Sequence, residues 1–295
     1  MENLSYHHGS LTRRSAFKVL GALGATALLP SLPSLPSLAL AEDAATVSDA
    51  DIFNFALNLE SLETEYYTRG TAGHGMEASD AGPNPGAVTG GHMVPWQNQD
   101  LKQFMEEIAR NELLHVRFYR HALGPSAVGR PAIDLTGGFA AAAKAAGLGD
   151  NFDPFASEMN FFLGGMLMED VGVTAYHGAV AALTDRDHQS AAAGILGVEA
   201  YHMGMARSTL YRMGTAARNA ADAISAARNR LDGNLGLDQG IVRNGHSNFV
   251  PRDANALVFS RTPQQVLRIV YLADKSGVSS GGLFPNGMNG TLRTT

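Results

Sequence analysis

Two Glu-x-x-His motifs contain the residues of this chain whose types and spacing are best suited to chemistry. The motifs are Glu112-Leu113-Leu114-His115 and Glu199-Ala200-Tyr201-His202. A spacing of three residues places a carboxylate and an imidazole on the same face of a helix. Two such helices that face each other offer two imidazoles and two carboxylates to one site, and two further carboxylates would complete a dinuclear metal centre.

The ligand types available in the sequence narrow the choice of metal. The chain has 295 residues and no cysteine, so any metal must be bound by nitrogen and oxygen ligands. Iron, manganese and zinc remain as candidates, and a carboxylate-rich set with two imidazoles suits iron or manganese better than a structural zinc site. The sequence therefore predicts two iron or manganese ions and leaves open which element is bound.

Four long segments with a helical period must position these side chains. They run from about Ser48 to Arg69, Asp100 to Leu123, Phe155 to Leu183 and Arg186 to Met213. Each segment has an apolar stripe that is interrupted near its centre by a Glu or by a Glu-x-x-His motif. A Glu helix is followed by a Glu-x-x-His helix, and the same pair then recurs after a longer connection. This order predicts an all-α four-helix bundle.

The two helices without a histidine contribute one carboxylate each. Glu63 lies near the middle of its apolar face, whereas Glu60 lies towards the edge and is the reserve candidate. A lone inward Glu or His is more often an ion-pair partner or a hydrogen-bonded core residue. Four buried carboxylates together need compensation, which two divalent cations would provide. The predicted metal ligands are Glu63, Glu112, His115, Glu169, Glu199 and His202.

Three tyrosines, Tyr66, Tyr119 and Tyr176, lie on the same inward faces within a turn or two of the predicted ligands. They either hydrogen-bond to the ligands and support oxidation chemistry or are core aromatics whose hydroxyl has one partner. The sequence leaves both interpretations open.

The N-terminal segment has the pattern of a signal peptide. The basic stretch Thr12–Lys18 contains Arg13-Arg14 and is followed by an apolar stretch and by the small-residue site Ala39-Leu40-Ala41. The paired arginines indicate twin-arginine export, although Ala16 stands where that pattern usually has Phe. The apolar run of about 11 residues is too short for a membrane anchor. We therefore expect residues 1–41 to be removed and the protein to be periplasmic or extracellular, without stable membrane insertion.

The charge of the chain argues against two classes of partner. Without residues 1–41, which contain three basic residues and one acidic residue, the formal net charge of −6 becomes about −8. An acidic surface disfavours binding to nucleic acids and to anionic membranes. We therefore predict no nucleic-acid partner.

The remainder of the chain is predicted to surround a bundle that occupies residues 48–213. The glycine- and proline-rich residues 71–97 are too irregular for a regular element and form an ordered surface excursion, and a further short helix lies within 139–146. Residues 214–295 form an additional part packed on the bundle. It contains an outer helix over about 215–231, a helix from Thr262 to about Lys275, and a tail extended over the surface.

The chain resembles the ferritin-like superfamily, and more narrowly the exported bacterial ferritin-like proteins related to plant desiccation-related proteins. The resemblance rests on the segment Asn54–Glu63, the two Glu-x-x-His motifs and the segment Phe259–Leu267, and it covers most of residues 48–290. It implies an up-down bundle with a metal pair in its core. In that bundle pattern Glu112 and Glu199 bridge the metals, and the carboxylates of the other two helices are terminal ligands.

Several functions agree with this resemblance, because the fold alone does not choose among them. Our leading hypothesis is a dinuclear iron or manganese oxidoreductase, of oxidase, peroxidase or catalase type, that reacts with oxygen or peroxide in stress protection. The alternative is a non-enzymatic desiccation- or stress-related protein in which any metal only stabilises the bundle. Iron storage is a third, weaker hypothesis because it needs a particular oligomer, and the sequence leaves homo-oligomerisation open.

Overall fold

The structure, a computed structural model, describes residues 47–295. The predicted signal peptide lies outside these residues. The described part of the chain contains the helices α1 (Asp49–Ala72), α2 (Ala78–Ala81), α3 (Gln99–Leu123), α4 (Gly137–Ala145), α5 (Glu158–Ala182), α6 (Arg186–Arg212), α7 (Thr215–Leu231) and α8 (Pro263–Val270). Its short strands are β1 (Val88–Thr89), β2 (Ile133–Asp134), β3 (Val242–Arg243) and β4 (His246–Ser247). The predicted all-α fold class is confirmed.

The four long helices α1, α3, α5 and α6 form the bundle. Helix α1 packs against α3, and α5 packs against α6. Only Leu183–Asp185 separate α5 from α6, so these two helices are antiparallel neighbours. Contacts between α1 and α5 join the two helix pairs. The predicted four-helix bundle of two hairpins is thereby confirmed.

Polar caps fix where each bundle helix begins. Ser48 caps α1 in a capping box with Asp51. Asn98, Ser157 and Asp185 accept hydrogen bonds from the first backbone N–H groups of α3, α5 and α6. Such caps satisfy N–H groups that have no partner inside the helix. Because the starts are fixed, the residues that face the bundle interior a few turns later are fixed as well.

The two long connections are joined to each other. Residues 73–98 connect α1 to α3, and residues 124–157 connect α3 to α5. Strand β1 of the first connection pairs in parallel with β2 of the second, with Val88 opposite Ile133. The excursion over 71–97 was predicted to contain no regular element, and its short α2 and β1 are a correction to that prediction.

The C-terminal part packs on the bundle through α7 and α8. Helix α7 contacts α5 and α6, and α8 contacts α5 and α7. The helix that begins after Thr262 ends at Val270, before the predicted end at about Lys275. The tail is not extended over the surface as predicted, because Leu283, Phe284 and Met288 are buried in the hydrophobic core. None of the helices within residues 47–295 combines the length and the apolar character needed to cross a membrane.

Candidate metal centre

Two overlapping groups of metal-ligating side chains lie in the middle of the bundle. One group contains Glu60, Glu112, His115 and Glu199, and the other contains Glu112, Glu169, Glu199 and His202. Within each group the ligand atoms lie within 4.8 Å of one another, and every side chain is buried. Glu112 and Glu199 belong to both groups. Each group could therefore hold a metal ion, and the two groups share two carboxylates.

The first position is organised around the imidazole of His115. Its Nδ1 atom lies 3.1 Å from Glu60 Oε2 and 3.1 Å from Glu112 Oε2, and 3.8 Å from Glu199 Oε1. Helices α1, α3 and α6 each supply one of these carboxylates. One imidazole nitrogen and three carboxylates thus converge on a single point.

The second position is organised around His202. Its Nδ1 atom lies 2.8 Å from Glu112 Oε1 and 3.5 Å from Glu169 Oε2. The two oxygens of Glu112 therefore face different histidines, Oε1 towards His202 and Oε2 towards His115. If both groups bound a metal ion, Glu112 could contribute one oxygen to each. On the outer side of the ring, His202 Nε2 lies 3.1 Å from the side-chain amide of Asn111.

The structure brings the reserve candidate Glu60 to the site in the place predicted for Glu63. The expectation that Glu60 lies towards the edge of the apolar face is wrong, because its side chain is fully buried and faces His115. Helix α1 is buried around most of its circumference. A helical wheel assumes one apolar face and one polar face, so for this helix it does not identify the face that points to the bundle centre. Glu63 is also buried but belongs to neither ligand group.

A repeat within the chain explains why Glu60 and Glu169 are equivalent. Tyr176 on α5 donates a hydrogen bond to Glu60 Oε1, and Tyr67 on α1 donates one of 2.6 Å to Glu169 Oε1. Each tyrosine follows the glutamate of its own helix by seven residues and binds the glutamate of the other helix. The remaining oxygen of each carboxylate faces a histidine. In this alignment of the two hairpins, Glu63 corresponds to Gly172.

The three predicted tyrosines differ in their contacts. Tyr176 contacts a ligand, and Tyr119 donates a 3.0 Å hydrogen bond to Tyr176. Tyr66 instead donates to the main-chain oxygen of Phe161 and stacks on the Phe161 ring, so of the two interpretations it agrees with the core aromatic and not with a contact to the ligands. Tyr67, which reaches Glu169, was missed. The paired Glu-x6-Tyr spacing in α1 and α5 was the pattern that could have identified it.

Burial and mutual repulsion dominate the protonation of the carboxylates without metal. Burial raises the pKa of Glu60 to about 8. Burial and the neighbouring carboxylates raise the pKa values of Glu63 and Glu199 well above their ordinary range. Burial opposes ionisation of Glu112 too, but the hydrogen bond of His115 and the charge of the nearby His202 outweigh it and lower the pKa of Glu112. Without metal, burial therefore favours the protonated forms of Glu60, Glu63 and Glu199, whereas Glu112 favours its ionised form.

The histidines respond in the opposite direction. Burial lowers the pKa of His115, but the charges of Glu60 and Glu112 outweigh burial and raise this pKa to about 11. The same competition, with Glu169 as the main charge, raises the pKa of His202 to about 10. Without metal, the protonated imidazoles therefore supply positive charge to the surrounding acids.

The unpaired atoms of the site fit a pair of cations. Five buried atoms lack a hydrogen-bond partner: Glu112 Oε1, Glu169 Oε2, both carboxylate oxygens of Glu199, and His202 Nδ1. Leaving such atoms unpaired is costly. Within the described residues, the ion pairs of these acids involve only the two histidines, and no lysine or arginine neutralises them. Metal ions would satisfy both the atoms and the charge.

The acids adjacent in sequence are neutralised in a different way. Asp170, next to Glu169, pairs with the buried Arg207 and Arg228. Glu65 pairs with Arg69 and with Arg130. The bundle therefore gives arginine partners to the carboxylates that face away from the centre. This contrast separates structural acids from the candidate ligands.

Gly172 on α5 makes room for the centre. A Cβ atom at this position would lie 2.3 Å from Glu199 Oε2 and 3.7 Å from Glu63 Oε1. The first distance is far below van der Waals contact. The absent side chain therefore allows the Glu199 carboxylate to lie against the α5 backbone.

The fold and the site together define a helical bundle with a buried centre of carboxylates and histidines. The chain belongs to the ferritin-like domain family, which matches residues 48–212.

The similarity to two relatives covers more of the chain than the family match does. A ferritin-like catalase of Nesocodon mauritianus, Nec2, is 28% identical over 271 aligned positions that cover 83% of this chain and 85% of the relative. The desiccation-related protein PCC13-62 of Craterostigma plantagineum is 29% identical over 253 positions that cover 77% of this chain and 78% of the relative. No solved structure gives a significant match. The predicted relation to desiccation-related proteins is confirmed.

Proposed function

We propose that this protein binds two iron or manganese ions through Glu60, Glu112, His115, Glu169, Glu199 and His202 and that it decomposes hydrogen peroxide. The observation that carries the proposal is the pair of overlapping ligand groups, in which the oxygens of Glu112 face two different histidines. A bound pair of redox-active metals supplies cations that take up and return two electrons. The name of the relative Nec2, a ferritin-like catalase, supports peroxide as the substrate.

Peroxide decomposition needs no electron donor besides the substrate. Two molecules of hydrogen peroxide give two molecules of water and one of oxygen. The molecule that is oxidised releases two electrons and two protons, and the molecule that is reduced accepts them while its O–O bond breaks. This balance distinguishes the proposal from an oxidase, which would require a separate donor.

The protein side chains hold and shield the centre. The tyrosine hydroxyls of Tyr67 and Tyr176 donate to the outer oxygens of Glu169 and Glu60 and thereby orient the inner oxygens. All of the proposed ligands are buried or nearly so, with His115 the most exposed at 8%. A site that excludes bulk water strengthens electrostatic interactions within it and limits side reactions.

We further propose that the protein is exported by the twin-arginine route and acts in the periplasm or outside the cell. The basic, apolar and small-residue parts of residues 1–41 support export. This route moves folded protein, so metal could be inserted in the cytoplasm. There the site would be filled before copper and zinc, which bind more strongly in the usual series, compete for it.

The test combines metal content with peroxide consumption. Protein purified from its native host should contain about two iron or manganese ions per chain, and it should release oxygen from hydrogen peroxide. Glu112→Gln should lose metal and activity together, because Glu112 belongs to both ligand groups. Glu107→Gln, an exposed position on the same helix, is the matched control and should retain both.

The outcomes separate the alternatives. Metal-loaded protein that neither consumes peroxide nor changes its absorption spectrum with oxygen would exclude the redox proposal. If Glu112→Gln lost metal and thermal stability but left the stress phenotype of the host unchanged, the metal would be only stabilising. The desiccation-related relative makes this second function worth testing.

A further inference from the structure

A narrow apolar cavity adjoins the centre on the side of α1, α5 and α8. It is lined by Leu59, Leu62, Glu63, Leu167, Met168, Val171, Gly172 and Val270, and its free space is that of a water-sized molecule. Glu63 is the only lining residue with a polar side chain. The remaining lining side chains are apolar, so small neutral molecules would enter the cavity more readily than ions.

The cavity meets the centre at Gly172. The backbone of Gly172 lines the cavity, and the space beside its Cα borders Glu199 Oε2, whose neighbours include no hydrogen-bond donor. Glu63 Oε1 lies close to the same point. Gly172 therefore borders both the cavity and the Glu199 carboxylate of the centre. The two histidines approach that centre from α3 and α6, the helices whose residues do not line the cavity.

The cavity also coincides with a break in the repeat of the two hairpins. Glu60, Tyr67, Glu112 and His115 each have an equivalent in the second hairpin, namely Glu169, Tyr176, Glu199 and His202. Glu63 has none, because its counterpart is Gly172. One half thus supplies an additional carboxyl group, and the other has no side chain at the equivalent position. Glu63 lines the cavity and belongs to neither ligand group, so its carboxyl is placed to contact a guest.

We propose that this cavity is the binding site of the substrate, that Glu63 is its polar partner there, and that the narrow walls admit hydrogen peroxide but reject organic hydroperoxides. The proposal rests on the proposed function, and it assigns Glu63 to the substrate instead of to the metals. A carboxyl group suits a hydroperoxide because its oxygens accept hydrogen bonds from the O–H groups of the peroxide. A wall of side chains excludes an additional alkyl group by size.

Selectivity provides the first test. Leu62→Ala widens the cavity, and the rate with tert-butyl hydroperoxide relative to hydrogen peroxide should rise by at least about tenfold, since a few methylene groups in an apolar pocket have effects of that size. Leu57→Ala, a buried position on the same helix outside the cavity, is the matched control and should leave the ratio unchanged. An unchanged ratio in Leu62→Ala would overturn the size filter.

Azide association provides a test without turnover. Azide is offered at mildly acidic pH, where part of it is neutral hydrazoic acid that can enter an apolar cavity. Its binding to the metal-loaded protein, followed by absorbance, should become slower in Val171→Ile, which narrows the cavity by one carbon atom, and faster in Leu62→Ala. Val171→Ile is expected to fold even if Leu62→Ala does not, because it is the smaller change. Equal association rates in both variants and the wild type would show that small molecules reach the centre elsewhere.

Glu63→Leu separates the substrate role from a role as a metal ligand. We expect the variant to retain two metal ions per chain by elemental analysis and to show a KM for hydrogen peroxide raised by about tenfold, as for a lost hydrogen bond to a polar group. Loss of one metal ion would instead identify Glu63 as a ligand and overturn the proposal. If the wild type consumed no peroxide, the proposed function would fail, while the azide rates would still report on the cavity.

Discussion

Replacing Gly172 by alanine should damage the metal centre although alanine is the better helix former. The added Cβ would lie 2.3 Å from Glu199 Oε2, whereas ordinary contacts begin at 3.4 Å, so the carboxylate must shift by about 1 Å. Displaced ligands and their supporting contacts typically cost about 10- to 100-fold in metal affinity. This corresponds to a loss of about 1.4 to 2.8 kcal/mol in binding free energy.

A matched glycine isolates the steric effect from the change in helix propensity. Gly194 lies on the exposed face of α6, and a Cβ there would meet nothing within 4 Å. Gly194→Ala should therefore stabilise the protein by about 1 kcal/mol, raise the melting temperature by roughly 2–4 °C, and leave metal affinity unchanged. Gly172→Ala should gain no comparable stability in the metal-loaded form.

The assay is a competition between the apoprotein and a chelator for manganese or ferrous iron, with thermal unfolding followed by circular dichroism. Weaker metal binding in Gly172→Ala, together with wild-type binding in Gly194→Ala, is the expected result. If both variants bound metal as the wild type does, the Glu199 carboxylate would not depend on the space beside Gly172, and the reasoning would be refuted.

Two further predictions concern the histidine support and the pH dependence of the metal-free protein. Asn111→Leu removes the partner of His202 Nε2 and should weaken metal binding at the position beside His202 by about 10- to 100-fold. A chelator should then remove one ion before the other. Val198→Leu, at the equivalent position of α6, is the control and should leave both ions in place. The apoprotein should lose stability as the pH rises from about 5 to 8, because unfolded Glu60 ionises near its ordinary pKa of 4.5 while the folded state delays ionisation to about 8. Burial of Glu199 acts in the same direction. Bound metal should abolish this loss by stabilising the ionised acids, and urea unfolding at several pH values, with and without metal, would show whether the slopes differ.

The sequence was sufficient for most of the bundle because its helices carry clear caps and a regular apolar stripe. The Glu-x-x-His spacing also placed Glu112 and His115 on one face of α3, and Glu199 and His202 on one face of α6. The structure brings all four together. What the pattern encodes directly is therefore the half of the site in which two functional residues share one helix.

The choice between Glu60 and Glu63 needed tertiary structure. Both lie on a helix that is buried on most sides, so hydrophobicity does not define a single inner face. The partner that distinguishes them, Tyr176, is distant in sequence and reaches Glu60 only after α1 and α5 have packed. The end of α8 and the burial of Phe284 in the tail were likewise missed, because both depend on contacts with the bundle and not on local propensity.

Helix α8 has a consequence for the order in which the protein matures. Val270 on α8 completes the wall of the cavity beside Glu63, although every proposed metal ligand precedes residue 203. During synthesis the ligand-bearing helices leave the ribosome first, so the nascent centre remains open on this side until α8 has emerged and docked. The wall formed by Val270 can therefore be completed only after the ligand-bearing helices have been made.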